Sequence, residues 1–160
     1  IEWGSGSAGW LYIYQMSGLE VYIHGYESEF SYRLNDIIRF DGSFSATRGE
    51  NLTDNSSLYY MPPDRILLST EVNLLPFSIN LMHKKVFSQN RIGLYESSTP
   101  GYETYNLIGT YTIRNSWAVH KIILQVDNVF NRKYYNHLSR IKSIMPEKGR
   151  NIGLQYRLNF

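Results

Sequence analysis

Apolar residues recur at every second position along almost the whole chain. The last stretch is the clearest. Ile152, Leu154, Tyr156, Leu158 and Phe160 fall on one face, and Gly153, Gln155, Arg157 and Asn159 on the other. That period belongs to a β-strand with two unlike faces. The same alternation sets Ile122, Leu124 and Val126 against Lys121, Gln125 and Asp127. It sets Tyr105, Leu107, Tyr111 and Ile113 against Asn106, Thr110, Thr112 and Arg114. Ile66, Leu68, Val72 and Leu74 oppose Arg65, Ser69, Glu71 and Asn73. Ile38, Phe40 and Phe44 oppose Arg39, Asp41 and Ser43. In a long strand over 19–34, Phe30, Tyr32 and Leu34 oppose Glu27, Glu29, Ser31 and Arg33. Segments 77–90 and 9–15 alternate less regularly. The pattern predicts eight strands and no helix.

The connections fall into two classes. Those at 35–36, around Pro76, and at 115–116 are short. Those at about 49–64, 91–101 and 131–149 are long and rich in Gly, Pro, Asn and Ser, as irregular backbone is. From the second strand onward they alternate, short then long. This is the pattern of an outer-membrane β-barrel, with turns on one side and loops on the other. Only the connection at 16–18 breaks it. A soluble β-sandwich also has period-2 strands, but its solvent face is often rich in Lys and Glu. Here the polar face mixes Gln, Asn, Thr, Ser, Gly and balanced charge, as a polar lumen would. The expectation is an all-β, antiparallel transmembrane barrel meander of about eight strands. Glu27, Glu29, Arg33, Arg39, Glu71, Asp127 and Arg157 are expected to face its lumen, because charge on the lipid face is costly. For Glu27 and Glu29 two roles stay open: contact with a plug, or pairing with inward residues such as Arg33 and Arg39.

Composition narrows this further. Among 160 residues, 16 Lys and Arg against 14 Asp and Glu leave a net charge of +2, which argues against a general nucleic-acid binder. Without cysteine there is no disulfide framework and no thiolate metal site. The 14 tyrosines, against 7 Phe and 3 Trp, suit positions that are apolar on one side and wet on the other. The opening residues lack the pattern of a signal peptide, so the sequence reads as a mature chain or a piece of a longer one. Its longest uncharged run, 3–19, is broken by glycines and does not read as a spanning helix. Negative mean hydropathy is compatible with a barrel, whose strands are apolar only on alternate positions.

The end of the chain resembles the C-terminus of Gram-negative outer-membrane barrels. In those, a terminal aromatic and apolar residues two, four, six and eight positions earlier form a signal for the barrel-assembly machinery. Phe160, Leu158, Tyr156, Leu154 and Ile152 match it. A broader resemblance is to TonB-dependent receptors. It is carried by Gly25, Glu27, Glu29, Tyr32, Leu34, Asn35 and Asp36, then by Pro62, Pro63 and Arg65, and by the Pro-Gly-Tyr at 100–102. The most specific piece is Asn128-Val129-Phe130-Asn131, followed by Lys133-Tyr134-Tyr135 and His137-Leu138-Ser139. The last piece is Pro146, Glu147, Gly149, Arg150 and Asn151.

That resemblance implies a 22-stranded barrel with an N-terminal plug, of which residues 1–160 would be the C-terminal segment, about the last third. The plug would be absent from this chain. The implied function is active uptake of a scarce nutrient: an iron-siderophore, haem, cobalamin, or an oligosaccharide or peptide. The implied setting is the bacterial outer membrane. Implied partners are the rest of the receptor barrel and its plug, the TonB complex through that plug, the barrel-assembly machinery and outer-membrane lipids, with no nucleic acid and no cofactor. The alternative is a self-contained eight-stranded barrel with a structural or adhesive role.

An enzyme is the less favoured class. GSGSAG at 4–9 has no Ser with Gly two positions away on both sides, as a nucleophile elbow requires; it reads as a turn or linker. His24, His83, His120 and His137 lack the spacing of a helical metal site. A surface lipid-modifying barrel could use His137 with Ser139. Residues 131–150 carry Arg132, Lys133, Arg140, Lys142, Lys148 and Arg150 against Glu147. Three readings stay open for this segment: capture of an anionic ligand, contact with lipopolysaccharide phosphates, or a solvated loop. Candidate contacts are Tyr59, Tyr60, Tyr95, Arg132, Lys133, Arg140 and Lys142. Tyr59, Tyr60, Tyr95, Tyr102, Tyr134 and Tyr135, near loop–strand junctions, suggest an aromatic girdle.

Overall fold

In the computed structural model residues 18–160 are described in full, and residues 2–6 and 9–13 as strands alone. The strands are β1 (Glu2–Gly6), β2 (Gly9–Ile13), β3 (Val21–Arg33), β4 (Ile38–Asn51), β5 (Ser56–Ser57), β6 (Arg65–Leu74), β7 (Phe77–Val86), β8 (Tyr102–Arg114), β9 (Val119–Asp127) and β10 (Asn151–Asn159). Among the described residues there is no helix.

Each long strand from β3 onward pairs antiparallel with the next, in the order β3-β4-β6-β7-β8-β9-β10, and the short β5 adds to the top of β4. The seven long strands coincide with seven of the eight expected. The first expected strand, 9–15, overlaps β2, which pairs with β1 in a separate two-stranded sheet. Residues 14–17, which hold most of the irregular connection expected at 16–18, lie outside the described residues.

The register fixes the faces, because directly paired residues share a side. From β10 back to β3, Leu154 pairs with Leu124, Leu124 with Gly109, and Gly109 with Ile79. Ile79 then pairs with Val72, Val72 with Ile38, and, two residues along the same face from Ile38, Phe40 pairs with Tyr32 of β3. One face is therefore continuously apolar across all seven long strands. The other carries Glu29, Arg39, Asp41, Ser43, Glu71, Asn80, Thr110, Gln125 and Gln155. The apolar side chains stay exposed, Leu154, Ile152, Ile79 and Phe30 among them. Soluble monomers rarely show water an apolar patch beyond a few hundred Å². Along β6 the apolar run from Ile66 to Leu74 spans about 27 Å at ~3.4 Å per residue. A strand tilt of about 40° lowers this to roughly 20 Å, near the ~25 Å band of outer-membrane barrels.

Local chemistry sets the turns. At 34–37, Ile37 and Ile38 donate their N–H groups to Asn35 Oδ1 at 2.9 and 2.8 Å. At 115–118, Trp117 and Ala118 donate to Asn115 Oδ1 at 3.2 and 2.7 Å. Both are Asx turns, in which a short side chain stands in for a backbone acceptor. Aromatic groups crowd the apolar face at this end. The Phe77 and Tyr111 rings meet tilted, with centres 4.8 Å apart, and the Tyr156 hydroxyl lies 2.7 Å from His120 Nδ1. One glycine is a packing requirement: the Phe30 ring lies across Gly42, 2.2 Å from where a Cβ would stand.

Among the described residues β3 and β10 do not pair with each other and neither has a second partner strand, so the sheet is an open meander with two free edges. A self-closed barrel would join them, and among the described residues it does not form. The partner of β10 is β9, as the alternation over 118–129 anticipates.

Candidate functional site

The three long connections, 52–64, 87–101 and 128–150, emerge at the same end of the sheet and fold together over its polar face. Each is anchored by its own backbone chemistry. In the first, Leu58 donates to Gly49 O at 2.9 Å, and Leu58 and Met61 pack against Gly49. In the second, Gln89 and Thr99 form a two-way backbone bridge at 3.0 and 3.2 Å. The Gln89 side chain, 1% exposed, donates to Met61 O at 3.0 Å and so ties the second connection to the first. The Tyr59 ring sits against Gly93, 2.6 Å from where a Cβ would lie; a side chain there would push the two segments apart. In the third, Asn128 and Asn131 take left-handed φ values of 50° and 52°, which Asn tolerates better than most residues. Asn128 staples the corner: its Oδ1 accepts the Arg132 N–H at 2.8 Å, and its Nδ2 donates to Arg132 O at 2.8 Å.

A buried polar cluster joins all three. Glu96 Oε1 lies 2.9 Å from Lys142 Nζ and 2.9 Å from His137 Nε2. Glu96 Oε2 accepts the N–H groups of Tyr60 and Gly93, both at 3.2 Å. On the other side of the imidazole, Thr99 Oγ1 is 2.9 Å from Nδ1, and Lys142 Nζ is 3.2 Å from the same atom. His137 is 2% exposed and Lys142 8%. The Lys142 ammonium also lies 5.7 Å from the centre of the Tyr60 ring. The contacts select a neutral imidazole with its proton on Nε2. That N–H donates to Glu96, while Nδ1 accepts from the Thr99 hydroxyl or from Lys142.

Electrostatics support the neutral ring. Burial lowers the His137 pKa, the Lys142 charge lowers it further, and Glu96 only partly offsets them. For Glu96, burial acts upward, but the hydrogen bond from Lys142, the two N–H groups and the Lys142 charge outweigh it and leave the pKa low. A pH dependence follows. Above the ordinary His value of 6.5 the ring is neutral both in the cluster and in an opened chain, and the cluster has its full stability. As pH falls from 6.5 toward the lowered value, an opened chain takes up the proton while the ring beside Lys142 resists it, and stability is lost. Glu96 adds a loss of the same sign below its ordinary 4.5. Hydrogen exchange of the Tyr60 and Gly93 amides, corrected for intrinsic chemistry, should be faster at pH 5 than at pH 7.5. Equal protection at both would contradict this.

A hydroxyl, an imidazole and a carboxylate in line resemble a nucleophile with its base. Here the arrangement is closed. Thr99 is buried, and the acceptor nitrogen that a base would use also meets an ammonium. The pairing of His137 with Ser139 does not form, since the Ser139 hydroxyl faces the Ile141 N–H at 3.4 Å. The cluster acts as a clamp between loops.

The candidate residues divide accordingly. Tyr59, Tyr60, Arg132, Lys133 and Arg140 are exposed, and Tyr95 stands at a loop tip, 87% exposed. Lys142 differs: its charge is engaged inside the clamp. Glu27, Glu29, Arg33, Arg39, Glu71, Asp127 and Arg157 share the polar face of the sheet. Arg39 pairs with Asp41 at 2.9 Å. Among the described residues neither Glu27 nor Glu29 pairs with Arg33 or Arg39. Ile152, Leu154, Tyr156 and Leu158 lie on the apolar face of the edge strand, and Phe160, 97% exposed, ends the chain. Tyr102 and Tyr134 depart from the expected girdle. They stack at 4.3 Å on the polar side, because Tyr102 pairs with Val86 on that face. Glu96, Gln89 and Thr99 carry no sequence signal; each looks like an ordinary loop residue.

No family model matches the chain. Among solved structures it superposes on the copper transporter OprC with a TM-score of 0.81 and 22% sequence identity, covering 98% of this chain and 25% of that one. The chain thus spans about a quarter of the length of that structure. The likeness is one of fold: an all-β antiparallel meander matching a segment of a barrel transporter.

Proposed function

We propose that the chain is a C-terminal wall segment of a TonB-dependent outer-membrane receptor that imports a scarce nutrient. The observation that carries this is the open meander itself. It has one lipid-compatible face, one polar face, two unpaired edges and three long connections converging over the polar face at one end. Free edges of this length call for further strands. In this reading the polar face lines a lumen holding a plug, and Glu27 and Glu29 are available to it. The plug would couple the protein to the TonB complex. Ile152 to Phe160 would engage the assembly machinery. The clamped connections form part of the outer mouth, where Tyr59, Tyr60, Tyr95, Lys133 and Arg140 are placed to meet a ligand. A transporter with the same fold handles copper, so copper joins iron-siderophores, haem, cobalamin, oligosaccharides and peptides as a cargo class to test.

The test uses the full protein that carries this chain, in cells with and without it. Labelled members of each cargo class are offered, and accumulation is measured before and after collapse of the proton gradient. At least one class should accumulate severalfold, and lose that gain on collapse. No energy-dependent accumulation of any class, with the protein present in the outer membrane, would overturn the proposal.

A further inference from the structure

A groove of about 590 Å³ lies where β8 outlasts β9. The β8–β9 ladder reaches only as far as Leu107 and Val126. The last ties above it are Val129 N–H to Tyr105 O at 2.8 Å and Asn128 N–H to Asn106 Oδ1 at 2.9 Å. The left-handed Asn128 and Asn131 then turn the chain away from β8 and leave a gap beside its upper end.

The groove opens at the sheet edge: Lys85, Glu103 and Tyr105 line it from the apolar face, and Val86, Tyr102 and Thr104 from the polar one. Tyr105 pairs with His83 and stacks on it at 4.5 Å, and His83 pairs with Leu68 on the apolar face. The Phe130 ring meets Tyr105 edge-on at 5.2 Å. Below Tyr105 the next residue on this face is Leu107, and below His83 it is Leu81. The groove therefore opens at the height where the apolar belt ends. Its lining suits a molecule that is apolar below and anionic above. Phe87, Tyr105 and Phe130 supply rings. Lys85 and Arg132 supply two positive charges against one from Glu103. Lys85 is held in place by Glu103 at 3.1 Å and lies 5.6 Å from the centre of the Phe87 ring. Arg132 is exposed, and its planar guanidinium suits phosphate oxygens.

We infer that this groove binds the phosphorylated headgroup of an outer-leaflet lipid, with Arg132 and Lys85 on the phosphate and the acyl chains lying along Leu107 and Leu81. Basic pockets at the membrane boundary recognise lipid headgroups in this way. The charged strand residues of its lining, Lys85 and Glu103, stand on the apolar side of the sheet, so the occupant is a lipid rather than the transported cargo. The inference rests on the apolar face being lipid-facing.

The experiment uses the full protein carrying this chain, reconstituted and then extracted in mild detergent. Retained lipid is counted by native mass spectrometry, with diphosphoryl lipid A and its dephosphorylated form as probes. The protein should keep the phosphorylated form preferentially. Arg132→Gln should reduce retention severalfold, and Arg132→Gln with Lys85→Gln at least tenfold. Lys148→Gln, a charge lost from the same connection outside the groove, should change nothing. Millimolar inorganic phosphate should not compete, which separates a lipid site from a free-phosphate site. Retention that ignores dephosphorylation, that survives the double substitution, or that is displaced by inorganic phosphate would overturn the inference. If those proteins still enter the membrane and show normal heat-modifiable migration, the barrel reading survives. A protein that does not enter the membrane contradicts both.

Discussion

Replacing Glu96 with alanine will loosen all three long connections at once. Glu96 receives Lys142 and His137 from the third connection, the Tyr60 N–H from the first and the Gly93 N–H from its own. Its removal leaves a buried ammonium without a counter-charge and two amides without an acceptor. Breaking a buried ion pair by deleting one partner costs about 3–5 kcal/mol, chiefly through the charge left behind. Hydrogen exchange should accelerate on the order of a hundredfold or more across 52–64, 87–101 and 131–150 together, up to the limit set by each segment's other contacts. Glu96→Leu combined with Lys142→Met should recover most of the protection, because both charges leave together. Acceleration confined to 87–101 would show that the connections are independent and the clamp carries little. Sequence could not have announced this cluster. Glu96 and Lys142 are 46 positions apart in segments with no periodicity.

The second large effect is at the apolar face, which the proposed reading turns to lipid. Leu124 sits between Gly109 and Leu154 on the apolar side, and its chain neighbour Gln125 sits between Ile108 and Gly153 on the polar side. Leu124→Arg should lower folding stability in the membrane by about 2–4 kcal/mol, the cost of Arg near the midplane of a barrel's lipid face. Gln125→Arg should be close to neutral. In the full protein, the midpoint of urea-induced unfolding from vesicles reads both. Equal shifts would mean that the two faces meet the same medium.

How far the fold could be read from the sequence depended on the apolar belt. Within it, alternation is strict and the strands were legible; β10, β9 and β6 are the clearest. Above it, both faces turn polar and the signal fades. That is why 77–90 looked irregular: on β7 the apolar series Phe77, Ile79, Leu81 gives way to His83 and Lys85 on the same face. It is also why β4 runs on to Asn51, past the last clear alternation at Phe44. The turn at 128–131 was legible as a motif, but not as the corner that opens a groove, because that depends on β8 extending beyond β9. Loop chemistry was legible only as composition. The basic character of 131–150 is plain, yet Lys142 turns inward to Glu96 while Arg132 stays exposed beside the groove.

On the proposed reading this sheet is a membrane wall with lipid on one face and a polar lumen on the other. A nitroxide scan tests it most directly, placing one spin label at a time along Ile152–Asn159 in the full protein reconstituted in bilayers. Labels at 152, 154, 156 and 158 should collide with dissolved oxygen, and labels at 153, 155, 157 and 159 should collide with a water-soluble relaxation agent or be shielded from both. Access of the water-soluble agent to both sets alike, or to the even-numbered set alone, would contradict it.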